Sequence, residues 1–192
     1  MKKYLAIFFM VTGFISSCGH KKKNKVAEEK NKKNYFPIAN YIQSEISYVD
    51  SLPIGITKYT TRENKTDTSY IKFPEFNKIA EEFICDEFKQ EVFEKEFSET
   101  TFLDQTTNSA TLTYSTKNPK LELQRVDVIA NTNTTANNVT SIYLEKDKQR
   151  DDTVIQEKLL WRTRTSFEII KSKRCRAQNP VTEQIKLVWG VE

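Results

Sequence analysis

The chain has 192 residues and a formal charge of +4, but that charge is unevenly placed. Seven lysines against Glu28 and Glu29 crowd residues 19–34, and Lys2 and Lys3 sit at the start, so residues 35–192 hold 21 basic and 24 acidic side chains. A nucleic-acid binder concentrates positive charge on its folded surface among aromatic platforms, so that class is excluded. The only histidine is His20, which removes His-based triads, His-activated thiols and His-rich metal sites from the rest of the chain.

In chain order, Met1–Cys18 reads MKKYLAIFFMVTGFISSC. Two lysines precede an apolar run, Tyr4 to Phe14, that is too short for a stable bilayer-spanning helix, and Ser16 and Ser17 lead into a cysteine. That is the layout of a secretory signal with a processing site. The closing Ile15-Ser16-Ser17-Cys18 resembles the lipobox of bacterial lipoproteins, although that family prefers Leu at the position of Ile15 and Gly or Ala at that of Ser17. The resemblance implies cleavage after residue 17 and acylation of the Cys18 thiol. Each buried methylene of an acyl chain contributes about 0.8 kcal/mol, so several chains on one cysteine anchor firmly. Residues 1–17 are then a signal peptide and residues 18–34 the lipidated cysteine with a basic tether. GHKKKNKVAEEKNKKN has almost no large apolar residue and no periodicity, which predicts a solvated spacer whose lysines also meet anionic head groups. Surface-displayed lipoproteins of the Bacteroidota type carry acidic residues directly after the cysteine. Gly19-His20-Lys21 does not, so the resemblance implies an outer-membrane lipoprotein facing the periplasm.

Residues 35–192 are long enough for one domain with a sizeable core, and twelve Phe, eight Tyr and two Trp in the chain supply large pieces for it. Pro37 suits a first helical turn, and Ile38, Ile42, Ile46 and Val49 make one apolar face before Asp50-Ser51-Leu52-Pro53 stops it. Ile54–Arg62 and Thr68–Phe73 read as a β-hairpin joined by polar residues 63–67. After Pro74, Phe76, Ala80, Phe83 and Ile84 recur at helical spacing, as do Phe88, Val92, Phe93 and Phe97, with a drift near Cys85 that predicts two helices or one bent helix.

From Ser109 the period is two. Ala110, Leu112 and Tyr114 start one strand. Leu121 and Leu123 lie on odd positions but Val126, Val128 and Ala130 on even ones, which predicts a β-bulge near Gln124-Arg125. Ile142 and Leu144, then Ile155 to Trp161, then Phe167 and Ile169, then Ile185 to Trp189 mark the later strands. Residues 146–152 read as a charged turn. The expectation is an α+β fold: an antiparallel meander of about five strands in the C-terminal half, packed against N-terminal helices and the hairpin.

Few residues carry chemistry. Cys85 and Cys175 leave three readings open: two independent buried cysteines, a disulfide clamping helix to sheet, or a thiolate at Cys175 favoured by Arg174 and Arg176. Glu81, Glu82, Asp86, Glu87 and Glu91 are numerous enough for an acid–base pair, but sit on an exposed-looking face, whereas such a pair needs one carboxyl raised by burial. Lys158, Arg162, Arg164, Lys171, Lys173, Arg174 and Arg176 outnumber Glu157 and Glu168 on the last strands, which reads either as strands set beside the acidic helix or alternating their basic side chains into solvent, or as a basic face for an acidic partner or a lipid head group. Trp161 and Trp189 are expected in the core. Asp50-Ser51-Leu52 and Asp152-Thr153-Val154 resemble the O-glycosylation triplet of exported Bacteroidota-type proteins, which marks Ser51 and Thr153. No phosphate loop, nucleophile elbow or calcium loop is present, and no cofactor or metal is expected. The function expected is therefore that of a lipid-anchored envelope protein, a binding or accessory component, with an apolar-ligand carrier and an enzyme of unidentified type as the alternatives. Its partners are the membrane, through Cys18, and either an envelope protein or, in a carrier, a lipid or other apolar ligand.

Overall fold

The computed structural model describes residues 35–133, 138–175 and 179–190; Cys18, His20 and Arg176 lie outside them. Tyr35–Glu192 forms one compact unit. Helix α1 (Ile38–Asp50) begins directly after Pro37 and turns Ile38, Ile42 and Val49 inward. It stops where the Ser51 N–H reaches the Ser47 and Tyr48 carbonyls and the Ser51 hydroxyl donates to the Tyr48 carbonyl at 2.7 Å, two residues before Pro53. Strands β1 (Ile56–Arg62) and β2 (Lys65–Ile71) form the expected hairpin with a tighter turn than residues 63–67: Glu63 and Asn64 alone make it, both at positive φ (48° and 65°). Two such residues define a type I′ turn, whose twist matches that of the strands.

Helix α2 (Phe73–Ala80) follows with Pro74 in its first turn, then a 3₁₀ turn at Glu81–Phe83. Ile84 and Cys85 are extended, a second 3₁₀ turn covers Asp86–Phe88, and α3 (Gln90–Glu96) completes the segment. The chain thus breaks at Cys85, where the apolar periodicity drifts, giving separate helices.

The remaining strands are β3 (Phe97–Asp104), β4 (Ser109–Thr116), β5 (Leu123–Asn131), β6 (Val139–Arg150), β7 (Thr153–Arg162), β8 (Ser166–Cys175) and β9 (Val181–Val188). The α+β class is as expected, but five strands is an undercount. One nine-stranded antiparallel sheet runs in the order β2-β1-β9-β8-β7-β6-β5-β4-β3. The hairpin β1–β2 is not a layer packed on a sheet; it extends the sheet beyond β9. The register of β5 against β6 shifts between Leu123 and Arg125, at the bulge that the change of parity foretells.

Only one sheet face carries helices. On it Tyr114, Val126, Ile142, Leu144, Leu159, Trp161, Phe167, Ile169 and Leu187 are fully buried, with Phe76 and Phe83 from the helical segment. Phe83 meets Trp161 edge-on at 5.1 Å between ring centroids, Phe76 meets Trp189 at 5.3 Å, and Trp161 lies 5.1 Å from Phe167. A second group stacks Phe93 on Phe97 at 4.6 Å and sets Tyr35 and Tyr114 against Phe93. Rings in such contact add about 0.5–1.5 kcal/mol per pair beyond the burial of their area.

Candidate functional site

Along β6, β7 and β8 the helix-covered face changes from apolar to charged. Strand alternation carries Leu144 to Lys146, Leu159 to Glu157 and Ile169 to Lys171, and pairing aligns these across neighbouring strands. Lys171 pairs with Glu183 and Glu183 with Arg62, so Lys146–Glu157–Lys171–Glu183–Arg62 forms a row of alternating charge across five strands. Opposite charges facing across strands are favourable, about 0.2–1 kcal/mol per pair.

The row is tied to the helical segment. Glu157 is 4 % exposed, with Lys148 Nζ 3.0 Å and Lys171 Nζ 3.7 Å from its carboxylate. Lys171 also reaches Glu82 at 2.5 Å, and the Lys146 ammonium, 6 % exposed, donates to the Glu82 carbonyl. Burial alone lowers the Lys148 pKa, but the Glu157 carboxylate outweighs it, helped by Glu122 and Glu82, and holds Lys148 above the ordinary lysine value. Buried charges persist only when paired in this way. Residues 146–150, expected as a turn, are thus the end of β6; the turn is Asp151-Asp152, with Asp151 at positive φ. A run of charges resembles a loop in sequence, but here Lys148 and Lys171 meet Glu157 on the inner face and Lys146 reaches the Glu82 carbonyl.

Beside the row lies a polar pocket of about 430 Å³, lined by Glu82, Cys85, Glu87, Glu122, Lys146 and Lys148 among others. Burial raises the Cys85 thiol to about 11, against the pull of Lys146, so it is a neutral thiol at physiological pH. Glu87 accepts the backbone N–H groups of Glu122 (3.0 Å) and Leu123 (3.2 Å), and so pins the start of β5. Asp86 is held below the usual carboxylate range by Lys89, its partner at 2.9 Å. Glu82, Asp86 and Glu87 are therefore engaged with lysines or backbone, not poised as an acid and base. Among the described residues no group of three or more His, Cys, Asp or Glu side chains is placed to hold a metal ion, and no helix is long and apolar enough to cross a membrane.

The two cysteines are separate free thiols: Cys85 in this pocket and Cys175 at the end of β8, its Sγ 3.4 Å from Thr153 Oγ1. Of the two marked hydroxyls, Ser51 is exposed at the end of α1 and Thr153 is half-buried against Cys175. The basic side chains of the last strands do not share a face. Lys171 and Lys173 point to the helix side, Lys158 and Arg174 to the other, and Arg164 sits in the β7–β8 turn. Arg164 is bound there by Glu45 of α1, at 3.2 Å, with its guanidinium 3.6 Å over the Tyr48 ring. Trp161 and Trp189 are core residues, 0 % and 6 % exposed.

The sequence reading missed Glu45, Lys146 and Glu157 as buried charges. For Lys146 the even parity shared with Ile142 and Leu144 was the available signal. For Glu45 it was the spacing of three and four from Ile42 and Val49, which sets it on the buried face of α1, although its partner, 119 residues away, was not visible.

No family model matches the chain, and no curated protein or solved structure is found similar to it.

Proposed function

We propose that this chain is a lipoprotein of the bacterial envelope, cleaved before Cys18, anchored through acyl chains on that residue, and facing the periplasm from the outer membrane. Its α+β domain serves as a non-catalytic binding or accessory component. The observation that carries the reading is the run of two lysines, an apolar core and Ile15-Ser16-Ser17-Cys18, followed by the lysine-rich spacer. Two features favour an accessory role over a carrier of apolar ligands. The aromatic side chains that a carrier would set around a cavity pack against one another, and the pocket beside Cys85 is lined by charged groups. A catalytic role has no support in the ion-paired carboxylates or the neutral Cys85 thiol.

Native mass spectrometry on the full-length protein, extracted gently from its host's membranes, tests this. A species beginning at Cys18 with acyl mass, lost with Cys18→Ser, together with a co-migrating envelope protein, is the expected result. An uncut or cleaved but unacylated chain overturns the anchor, and a small apolar adduct overturns the accessory role in favour of a carrier.

A further inference from the structure

Lys146 and Lys148 of β6 form one wall of the polar pocket of about 430 Å³ beside Cys85. Lys146 is 6 % exposed, yet among the described residues no carboxylate lies within 4.0 Å of its ammonium. Its cross-strand partner Glu157 is taken by Lys148 at 3.0 Å and Lys171 at 3.7 Å, and the Glu82 carboxylate by Lys171 at 2.5 Å. What Lys146 holds is neutral: the Glu82 carbonyl and the Cys85 thiol. A buried charge without a counter-ion is costly, so a lysine kept in that state beside an open pocket is placed to receive an anionic group. The other wall comes from the 3₁₀ turn Asp86–Phe88 and the approach to β5, and it carries the reverse charge. Glu87 spends Oε1 on the backbone N–H groups of Glu122 and Leu123, and its Oε2 takes no hydrogen bond among the described residues. Glu122 is exposed, and its nearest cation, Lys148, stands 3.9 Å away.

We propose that this pocket binds a free α-amino acid, its carboxylate on Lys146 and its ammonium on Glu87 and Glu122. The charges of the two walls choose the class. A simple anion answers Lys146 but is repelled by Glu87 and Glu122, and a simple cation meets the carboxylates but leaves Lys146 without a counter-ion and adds repulsion to it. A zwitterion satisfies both walls at once, with the charge-assisted hydrogen bonds that are the stronger kind. The volume stands at the small end of the range for small-ligand sites, which suits an amino acid better than a longer chain. The Cys85 thiol serves as a neutral part of the lining, where a bound molecule shields it from solvent. The inference rests on the pocket alone and stands whether or not the chain is anchored at Cys18.

That shielding is the readout. The full-length chain in mild detergent is alkylated with iodoacetamide, and the rate at Cys85 is followed by peptide mass spectrometry, with Cys175, which does not line the pocket, as the internal control. The probe is a mixture of the common L-amino acids other than cysteine, at about 1 mM each, which detects dissociation constants up to the millimolar range. The expected result is that the mixture slows alkylation of Cys85 about threefold or more, as occupancy at a sub-millimolar dissociation constant requires, and leaves Cys175 unchanged. Succinate, an anion alone, and 1,4-diaminobutane, a cation alone, are expected to protect neither. Lys146→Met, which replaces the buried ammonium by an apolar side chain of similar length, is expected to abolish the protection, each variant being compared with itself without probe. Glu122→Gln, at an exposed side chain that the core does not need, is expected to weaken it. No protection by the mixture overturns the proposal, as does equal protection of Cys175. Protection that survives both substitutions, or that succinate or 1,4-diaminobutane matches, overturns it too.

Discussion

Cys85 illustrates how position rather than composition decides a residue's chemistry. Burial lifts its thiol from 9.0 to about 11, so the folded state holds a proton that the unfolded state releases earlier. The contribution to stability is full below pH 9 and is lost as pH rises through about 11. Each pKa unit corresponds to about 1.4 kcal/mol, so the loss approaches about 2–3 kcal/mol by the end of that window. Urea unfolding at pH 8 and pH 10.5 should show a steeper loss for the wild type than for Cys85→Ala; equal slopes contradict the assignment. Glu45 makes the same point with a carboxylate. It is 1 % exposed, takes the Arg164 guanidinium at 3.2 Å and accepts the Arg164 N–H at 3.0 Å. Removing one partner of a buried pair costs about 3–5 kcal/mol. Arg164 is half-exposed and recovers water, so about 2 kcal/mol is expected for Glu45→Ala. Chemical denaturation reads this directly, and a change below a few tenths of a kcal/mol makes the pair dispensable.

Among the elements, α1, the β1–β2 hairpin and the β5 bulge were legible because each is announced locally: Ile38, Ile42 and Val49 on one face, a polar turn between Thr- and Tyr-rich arms, and a parity change between Leu123 and Val126. Strand β3 was not. Phe93 and Phe97 stand four apart, as on one helix face, and their rings do stack, but Phe97 is already the first residue of a strand. Stacking across a helix-to-strand junction leaves the same spacing as stacking along a helix. The candidate site was legible only as charge: Lys171 and Glu157 were visible, but not their cross-strand row or its link to Glu82. The β7–β8 turn, residues 163–165, shows how such remote contacts fix an element. Tyr41 and Glu45 of α1 grip it from one side, and the N–H groups of Trp189 and Gly190 reach the Thr165 carbonyl at 3.0 Å from the other. A Cβ at Gly190 would lie 2.5 Å from the Arg164 carbonyl oxygen and 3.0 Å from Thr165 Cα, both backbone atoms that cannot step aside. Gly190→Ala should therefore cost about 1–3 kcal/mol, as overpacking does. A thermal melt within a degree of the wild type would show that the turn yields.

At the scale of the whole molecule, what the sequence withheld was the place of β1. Local signals cannot say that a hairpin at residues 56–71 flanks a strand at residues 181–188, yet Thr60 lies opposite Ile185 and Lys58 opposite Leu187. That adjacency makes β9 the only strand bonded to β1 besides its own hairpin partner, among the described residues. A chain ending at residue 178 should leave the hairpin amides exchanging as freely as those of a lone hairpin, which is marginal in water; hydrogen exchange by mass spectrometry reads this, and protected amides in residues 56–71 would contradict it. The same adjacency sets a clock on biosynthesis. Synthesis proceeds at about 5–20 residues per second, so roughly ten seconds separate the emergence of β1 from that of β9. Throughout that interval the hairpin has no place in the sheet, whereas β3 to β8, each bonded to its neighbour in sequence, need not wait for β9. The sheet therefore gains its two outermost strands, β1 and β2, only when the chain is nearly finished.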